Sequence, residues 1–295
     1  MDIDIQPGTY VAAVSGGVDS MVLLDLLTRQ PGLKLTVAHY DHGIREDSGQ
    51  DRLFVQKTAK QLKLPFVYQE GDLGAAASEA KARNARYKFL HGARQAANAK
   101  AIITAHHQDD AIETAIINLL RGSGRKGLSA LKSQNYIIRP LLDWPKSVII
   151  KYAKHKDIKW CEDPTNQDTK YLRNHIRHNI VPKLSTAQRR QLIWHLDNLA
   201  RLNNEIDTVF INHLHTQPAA RKLDRHYFVM LPHKQAVELL AVWLRAQGIL
   251  NFDKKLLEKI VTNAKTLSAG KRIGINAAHT IKVSKEHLAL VHQER

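Results

Sequence analysis

A glycine-rich hexapeptide, SGGVDS, separates a short apolar run from a segment whose apolar residues recur at helical spacing. Gly16 and Gly17 let the backbone turn tightly and approach a ligand, and the amide groups at a helix N-terminus attract phosphate oxygens. Ser15 and Ser20 add hydroxyl groups that can donate hydrogen bonds. A plain turn with a helix cap would use the same residue types. We interpret the segment as a phosphate site, with the candidate ligand-binding residues Ser15, Gly16, Gly17, Val18, Asp19 and Ser20.

Asp19 adds a negative charge to this loop, and a carboxylate repels phosphate unless a cation lies between them. Mg²⁺ is the expected cation, held by Asp19 directly or through water. The loop lacks the lysine and the longer spacing of GxxxxGK[ST], a pattern typical of enzymes that cleave the γ-phosphate. We therefore expect a different phosphate bond to be cut.

Two further polar segments follow predicted strands: HYDHGIR at His39–Arg45 and TAHHQDDAIET at Thr104–Thr114. In the second, Asp110, Glu113 and Thr114 have the spacing i, i+3 and i+4, which places them on one helix face near its positive dipole end. Paired carboxylates suit Mg²⁺ or the ammonium group of a substrate. Acidic residues that only favour the helix dipole are the alternative.

The scaffold that positions these segments is predicted to be α/β, because short apolar runs alternate with longer amphipathic ones. Strands are expected at 10–14, 35–39, 66–68, 101–105 and 136–139. Helices are expected at 20–29, 49–62, 78–97, 109–120 and 145–155. This pattern predicts an open, Rossmann-like parallel sheet with helices on both faces. Such sheets bind ligands beyond the carboxyl ends of their strands, where the polar segments lie.

The pattern changes after residue 184. Gln188–His213 has leucine and isoleucine at helical spacing and is predicted to be a helical connector. A small α+β module is predicted after it, with strands at 227–231, 272–275, 280–283 and 288–291 and helices at 234–245 and 254–264. We predict a catalytic domain at 1–184, a connector at 185–215 and a C-terminal module at 216–295.

The chain is strongly basic: 44 Lys and Arg against 28 Asp and Glu give a formal net charge of +16. A polyanionic partner is the natural interpretation, although a solvated basic surface that favours solubility would have the same composition. The glycine-containing stretch 121–132 could contact RNA near the cleft or be a solvated loop. Further phosphate contacts are expected from basic residues of the C-terminal half: Arg189, Arg190, Lys222, Arg225, Lys271, Arg272 and Lys282.

The sequence predicts a cytoplasmic protein without a membrane partner. The single cysteine, Cys161, cannot form an internal disulfide and is interpreted as a small buried apolar residue. Residues 1–9 lack the blocks of a signal peptide, and no run approaches the ~20 apolar residues needed to span a bilayer. The histidines are not interpreted as a metal site, because adjacent His106 and His107 point in different directions and no cysteine cluster accompanies them.

The loop SGGVDS resembles that of the PP-loop ATP pyrophosphatases, which binds the pyrophosphate part of ATP while an acceptor oxygen attacks the α-phosphate. One branch of that family, the tRNA(Ile)-lysidine synthetases, is similar over roughly residues 9–180. The similarity is carried by the three segments above together with EAKAR and Arg86-Tyr87, NLLRGSGRKGL, RPLL and EDPTNQDTKYLRNHIR. Gly270–Val283 is only loosely similar to that branch's terminal module.

The resemblance implies a two-step reaction on tRNA(Ile) with a CAU anticodon. ATP, with Mg²⁺, adenylates the C2 carbonyl oxygen of the wobble cytidine and releases pyrophosphate. The ε-amine of free L-lysine then displaces AMP. The product, lysidine, pairs with A instead of G, so decoding changes from AUG to AUA. A homodimer is also implied.

The resemblance also assigns candidate roles. The catalytic candidates are Asp19, Asp110, Glu113, Arg83 and Arg177. Contacts to ATP outside the loop are expected from His39, Asp41 and His42. Contacts to lysine or RNA are expected from His106, Asp110, Glu113, Arg86, Arg121, Arg125, Lys126 and Arg173. Guanidinium groups can bind phosphate, the lysine carboxylate or the RNA backbone. The sequence does not indicate which arginine has which of these roles. His106, Asp110, Glu113 and water all stay open as the general base.

Three other functions compete with this one. A tRNA thiolase on the same loop would commonly use paired cysteines or an iron–sulfur cluster, which one cysteine does not provide. A small-molecule amidating synthetase would not need so basic a chain. A catalytically idle tRNA-binding protein would explain the charge but not the presence of Asp19, Asp110 and Glu113 together.

Overall fold

The computed structural model describes residues 1–43, 48–71, 79–129, 131, 136–162, 172–213, 221–250 and 252–292. The chain divides into two compact units, Met1–Asp197 and Asn198–Arg295. Parts of the sequence motifs lie outside the described residues, namely Ile44–Arg45, Ala130, Lys132 and Asp163–Tyr171. The three-part division at residues 184 and 215 stays a prediction.

The first unit is built on a five-stranded parallel sheet. Its strands are β1 (Gly8–Ala13), β2 (Leu33–Asp41), β3 (Phe66–Glu70), β4 (Ala101–Ile103) and β5 (Ile137–Ile138). Their order is β3-β2-β1-β4-β5. The central strands are apolar on both faces, as expected for a parallel sheet covered on both sides: Val11, Ala12, Ile102 and Ile103 have no exposed surface.

Helices cover both faces of this sheet, which confirms the predicted fold class. The helices of the first unit are α1 (Val18–Thr28), α2 (Ser48–Gln61), α3 (Glu79–Ala96), α4 (Gln108–Leu120), α5 (Arg125–Leu128), α6 (Lys146–His155) and α7 (Leu172–His175). Leu24 of α1 and Ile149 of α6 share a core cluster with Ala12. Leu90 of α3 packs in a separate cluster with Val11. Since Val11 and Ala12 point to opposite faces of β1, the two clusters lie on opposite sides of the sheet.

The strand order brings the three polar segments to one edge. Strand β1 lies between β2 and β4, so the carboxyl ends of these parallel strands are neighbours. The glycine loop follows β1, His42 follows β2, and His106 follows β4. The direction in which strands are added reverses at β1, and such a switch point is where open α/β sheets form their ligand crevice.

The second unit contains a four-stranded antiparallel sheet and helices. Its strands are β6 (Lys222–Asp224), β7 (Arg272–Gly274), β8 (His279–Val283) and β9 (His287–His292), in the order β6-β9-β8-β7. Helices α9 (Arg225–Met230), α10 (His233–Ala246) and α11 (Lys254–Thr266) pack against it around the buried Trp243 and Phe228. Helix α8 (Thr186–His213) contains residues of both units. Within the described ranges, no helix is long and apolar enough to cross a membrane.

One predicted strand is wrong. Residues 227–231 were expected to be extended, but they lie largely in helix α9. Asp224 caps this helix, since its Oδ1 accepts a hydrogen bond from the Tyr227 amide at 2.7 Å. Phe228 points into the core and is 1% exposed. A helix of under two turns that buries one large side chain has no periodicity that distinguishes it from a strand.

Candidate active site

A cavity of about 870 Å³ lies at the carboxyl edge of the parallel sheet. The structure brings many of the sequence-predicted site residues to its wall: Ser15, Gly17, Val18, Asp19, His39, Asp41, His42, Arg86, Asp110, Glu113 and Arg177. The other candidates are not in the wall of this cavity: Gly16, Ser20, Arg83, His106, Arg121, Arg125, Lys126 and Arg173. The side chains and backbone of the first group are therefore positioned to touch a ligand in this cavity.

The glycine loop is held by its own last residue. The buried Ser20 hydroxyl donates to the Gly17 carbonyl at 2.8 Å and accepts from the Ser15 and Gly16 amides, each at 3.2 Å. Gly16 has a φ of +96°, a left-handed conformation that glycine adopts without strain. Ser20 was predicted as a donor to phosphate, but its hydroxyl is already used to shape the loop.

The N-terminus of α1 faces the cavity with its amides uncapped. Gly17 is the N-cap residue, and no side chain among the described residues caps the helix. The amides of Val18, Asp19 and Ser20 belong to the first turn, which has no partner within the helix. The helix dipole adds partial positive charge at the same point. A glycine cap without a capping hydrogen bond favours an anion site over the plain capped turn.

Asp19 forms an ion pair that the sequence did not predict. Lys146, the first residue of α6, places Nζ 2.7 Å from Oδ1 and 2.6 Å from Oδ2 of Asp19. His107 Nε2 lies 3.8 Å from the same carboxylate. The cation next to Asp19 is therefore the ammonium group of Lys146, whereas the sequence predicted Mg²⁺.

The donor set around Asp19 fits Mg²⁺ that is shared with phosphates. Among the described residues, no group of three or more His, Cys, Asp or Glu is arranged to hold a metal by itself. Mg²⁺ commonly binds through one or two carboxylates and completes its shell with substrate phosphates and water. Asp19 in the first turn of α1 provides one carboxylate next to the anion site.

Helix α4 begins with a reciprocal cap that uses Asp110. The Asp110 amide donates to His107 Nδ1 at 3.4 Å, and the His107 amide donates to Asp110 Oδ2 at 3.0 Å. Because Nδ1 accepts, the ring proton is on Nε2, which points toward Asp19 and Asp110. Asp110 thus has a capping role in addition to its place in the cavity wall.

Arg177 joins the two predicted carboxylates. It lies in a short π-helical segment, Ile176–Ile180. Its Nε donates to Glu113 Oε1 at 2.7 Å, and its Nη2 donates to Glu113 Oε2 at 2.8 Å and to Asp110 Oδ1 at 3.2 Å. The side chain of Glu113 is 1% exposed, whereas that of Arg177 is 33% exposed. The cluster carries two negative charges and one positive charge when both carboxylates are ionised.

Burial and neighbouring charges act on the two carboxylates differently. Burial raises the pKa of Glu113 above its usual value, although hydrogen bonding to Arg177 acts in the opposite direction. Burial would also raise the pKa of Asp110, but the neighbouring His107 side chain, the His107 amide and Arg177 together hold it below its usual value. Asp110 is therefore the more readily ionised member of the pair.

Burial and nearby arginines disfavour a positive charge on His106. Burial, together with the charges of Arg86, Arg139 and Arg83, lowers the pKa of His106 to about 3 against the opposing effect of Asp110. The His106 Nδ1 lies 2.9 Å from the Thr104 hydroxyl. A histidine with so low a pKa binds a proton weakly, which makes it a poor general base.

Two of these arginines contact an aromatic ring of their own helix. On α3, the Cζ atoms of Arg83 and Arg86 lie 4.9 Å and 5.5 Å from the centre of the Tyr87 ring. Burial and the nearby Arg83 and Arg173 lower the pKa of Arg86, with Tyr87 opposing them. Of these arginines, Arg86 is the one that lines the wall of the cavity.

The end of β2 contributes two neutral histidines. His39 Nδ1 lies 2.9 Å from the Val14 carbonyl, and burial lowers the pKa of this histidine. Burial, followed by the charge of Arg86, lowers the pKa of His42. The Nδ1 atom of His42 is buried and has no hydrogen-bond partner within the described structure. Asp41 Oδ1 accepts a hydrogen bond from the Gly43 amide at 2.9 Å, which shapes the end of the strand.

The remaining candidates lie outside the cavity wall. Arg121 is the exposed C-cap residue of α4. Arg125 and Lys126 lie on the one-turn helix α5, which a hydrogen bond from Asn118 Nδ2 to the Gly127 carbonyl ties to α4. Arg173 lies on α7.

Sequence analysis missed several wall residues. Lys146 resembles an ordinary exposed helix charge, and Asp109 resembles another acidic residue of the first turn. Asp109 accepts a hydrogen bond from Arg189 Nη1 at 3.0 Å. Cys161 was expected to be buried but is partly exposed and lines the cavity, and its amide donates to the Gly16 carbonyl at 2.9 Å. Contacts between residues so distant in sequence leave no local pattern by which to find them.

Comparisons with known proteins identify relatives of the chain. It is 33% identical over 289 residues to the tRNA(Ile)-lysidine synthase of Lactiplantibacillus plantarum (strain ATCC BAA-793 / NCIMB 8826 / WCFS1), a match that covers 92% of this chain and 64% of that protein. It is 40% identical over 189 residues to the protein of the same name from Thermotoga sp. (strain RQ2). That match covers 60% of this chain and 46% of that protein. The chain thus spans less than two thirds of the length of these relatives.

The parallel sheet also has a counterpart among solved structures. The U34-tRNA thiolase NcsA from Methanococcus maripaludis, described with its [4Fe-4S] cluster, matches with a TM-score of 0.54 at 16% identity. The match covers 66% of this chain and 73% of that one, and at this identity it shows a shared fold alone. The model of the PP-loop domain matches residues 4–184. That match includes the glycine loop, the acidic cluster and Arg177, so the chain belongs to the PP-loop domain family.

Proposed function

We propose that the protein ligates L-lysine to C2 of the wobble cytidine of tRNA(Ile) with a CAU anticodon, in a reaction that uses ATP and gives lysidine, AMP and pyrophosphate. One observation carries the proposal: the uncapped N-terminus of α1 and the Asp110–Glu113–Arg177 cluster face the same cavity. An anion site beside an acidic cluster suits a phosphate donor and an amine. The relatives named tRNA(Ile)-lysidine synthase support this choice of substrates.

In the first step, the β- and γ-phosphates of ATP bind the amides of Val18, Asp19 and Ser20 at the start of α1. The C2 carbonyl oxygen of cytidine attacks the α-phosphorus, and the bond between the α-phosphorus and its bridging oxygen breaks. Pyrophosphate leaves with the electron pair, and an adenylated cytidine remains. Attack on the α-phosphorus and departure of pyrophosphate must lie roughly in line. By holding the leaving phosphates, the loop would orient the α-phosphorus for this attack.

Mg²⁺ bound to the phosphates would neutralise the charge that develops on the leaving pyrophosphate. Asp19 is the residue that would hold it. His107 Nε2 lies 3.8 Å from this carboxylate, so Asp19 is close to the start of α4, where the acidic cluster lies.

In the second step, the amine of lysine attacks C2 of the adenylated cytidine. The bond between C2 and its oxygen breaks, and AMP leaves with that oxygen. Asp110 and Glu113 bind the incoming ammonium group, while Arg177 holds both carboxylates in place. The amine must lose a proton before it attacks, and Asp110, Glu113 or water accepts it. His106 is disfavoured as the base because its pKa is lowered to about 3.

The tRNA is proposed to bind outside the cavity through basic residues. Its phosphates would contact the exposed Arg121, the nearby Arg125 and Lys126 of α5, and Arg173 of α7. Contacts of this kind position an RNA without reading its sequence. The net charge of +16 favours the approach of a polyanion. We also propose that the protein acts in the cytoplasm, as a homodimer.

The direct test measures transfer of labelled L-lysine to tRNA(Ile) with a CAU anticodon, in the presence of ATP and Mg²⁺. Wild-type protein should incorporate the label, and a tRNA with U in place of the wobble cytidine should not accept it. Asp110→Asn should also lose incorporation. Formation of AMP and pyrophosphate without lysine transfer would refute lysine as the nucleophile and retain only the adenylation step.

A further inference from the structure

The phosphate loop Ser15–Ser20 contains no lysine, but the fold brings one to it from a distant helix. Lys146 Nζ lies within 2.7 Å of both carboxylate oxygens of Asp19, although 127 residues separate the two in sequence. Both side chains line the large cavity. An ammonium group therefore lies at the first turn of α1, beside the amides that attract an anion.

Helix stability does not account for this lysine. Lys146 is the first residue of α6, where a positive charge meets the positive end of the helix dipole. Pro145 is the N-cap and makes no side-chain capping hydrogen bond. The side chains of Lys146 and Asp19 are 32% and 27% exposed, and ion pairs with this much solvent contact contribute little to folding. The pair is thus weak enough to exchange its partners.

The position of Asp19 gives a reason for such an exchange. Its carboxylate is the one that would hold Mg²⁺, and Lys146 engages both of its oxygens. When ATP and Mg²⁺ enter, the metal and the ammonium group compete for these oxygens. A phosphate oxygen is then the nearest alternative acceptor for Nζ, because Mg²⁺ is shared between Asp19 and the phosphates. Lysine is well suited to this, since its ammonium group is a compact charge with three donors on a flexible stem.

We propose that Lys146 is a catalytic residue of the adenylation step: it pairs with Asp19, and its ammonium group moves to the departing pyrophosphate when ATP and Mg²⁺ bind. This inference rests on the proposed function. As the bond between the α-phosphorus and its bridging oxygen breaks, negative charge collects on pyrophosphate, and Nζ donates hydrogen bonds to it. Nζ only donates hydrogen bonds here, so no proton is transferred in this step.

The first test measures binding of pyrophosphate in the presence of Mg²⁺ by titration calorimetry. Lys146→Met should bind it roughly 10- to 100-fold more weakly, the loss expected for one charge-assisted hydrogen bond. Lys146→Arg should recover most of the affinity, because it keeps the charge. Lys151→Met removes an exposed lysine of the same helix that does not line the cavity, and should bind as the wild type does.

A second measurement uses Mn²⁺ without nucleotide, detected by electron paramagnetic resonance. Removing Lys146 frees the oxygens of Asp19, so Lys146→Met should bind Mn²⁺ more tightly than the wild type. Adding Asp19→Asn to that variant should abolish the gain. This gain would show that Lys146 and the metal compete for the oxygens of Asp19, which the proposed exchange requires, whereas the pyrophosphate titration tests the contact with the leaving group.

Either of two results would overturn the inference: pyrophosphate affinity unchanged in Lys146→Met, or a loss that Lys146→Arg does not recover and that accompanies a lower melting temperature. Exchange of labelled pyrophosphate into ATP by the wild type, with tRNA present, tests the proposed function separately. Absence of that exchange would contradict adenylation, whereas pyrophosphate binding by the variants would still decide the role of Lys146.

Discussion

Arg177 and Glu113 form a two-fold hydrogen-bonded ion pair across 64 residues of sequence, with N···O distances of 2.7 and 2.8 Å. The pair connects the start of α4 to the π-helical segment that carries Arg177. Glu113 is almost fully buried, so its charge depends on this partner. Because Arg177 also reaches Asp110, it sets the distance between the two carboxylates that an incoming amine would meet.

Removal of Arg177 should therefore destabilise the protein through Glu113. We expect Arg177→Met to lower the free energy of unfolding by about 3 kcal/mol, the lower end of the range for breaking a buried pair, because Arg177 is partly exposed. Glu113→Gln in the same chain should recover part of this loss, since the unpaired charge is gone. Urea denaturation of both single variants and the double variant measures the coupling. Additive effects of the two substitutions would contradict the dependence of Glu113 on Arg177.

The two glycines of the phosphate loop should respond differently to alanine. Gly16 has a φ of +96°, and an added Cβ would lie 3.4 Å from Val55 Cγ2, so Gly16→Ala should cost about 1 kcal/mol or more of stability. Gly17 has an ordinary φ of −71°, and an added Cβ would meet only Ser15 Oγ at 3.7 Å. Gly17→Ala should therefore fold normally.

Substitution of Gly17 should change ATP binding, although it leaves folding normal. Gly17 lines the cavity, so a methyl group there would approach the phosphates, and Gly17→Ala should weaken ATP binding without lowering the melting temperature. Thermal denaturation and calorimetric titration with ATP separate the two effects. Unchanged ATP affinity in Gly17→Ala would argue against close approach of phosphate to this backbone.

Asp19→Asn tests whether the loop carboxylate holds Mg²⁺. Loss of the charge should lower the rate of AMP formation at least about tenfold and raise the Mg²⁺ concentration needed for half-maximal rate, because an amide is a weaker ligand than a carboxylate. Asp25→Asn provides a matched control on the same helix, since Asp25 pairs with Arg29 and does not line the cavity. A wild-type response of Asp19→Asn across the Mg²⁺ titration would rule out this role.

The strand ends could be predicted from sequence because parallel strands place their carboxyl ends together. The segments after β1, β2 and β4 meet in the structure since β1 lies between the other two strands. The spacing of Asp110 and Glu113 predicted their common helix face, and both line the cavity. Arg177 was found only through the resemblance, because nothing in the local sequence links it to Glu113.

The position of Lys146 in the site could not be predicted from sequence either, because it also depends on a contact between distant residues. It begins a helix whose apolar residues determine its packing, and a lysine at that point fits an exposed position equally well. Its contact with Asp19 depends on α1 and α6 packing on the same face of the sheet. The short helix α9 was missed because Asp224 caps it within a segment rich in strand-forming residues. In both cases tertiary contacts determine what the local pattern leaves open.

The buried His106 should make stability depend on pH. Its pKa in the folded state is about 3, against about 6.5 in the unfolded chain, because burial and the nearby Arg86 and Arg139 disfavour its charge. Between these values the unfolded state binds the extra proton, so stability falls as pH decreases, by up to about 1.4 kcal/mol per pH unit. His106→Gln removes this contribution, and its stability relative to the wild type should rise between pH 7.5 and pH 5. Urea denaturation at both values measures the change, with the exposed His195→Gln as the matched control. An equal pH response of His106→Gln and the wild type would show that folding does not lower the pKa of His106.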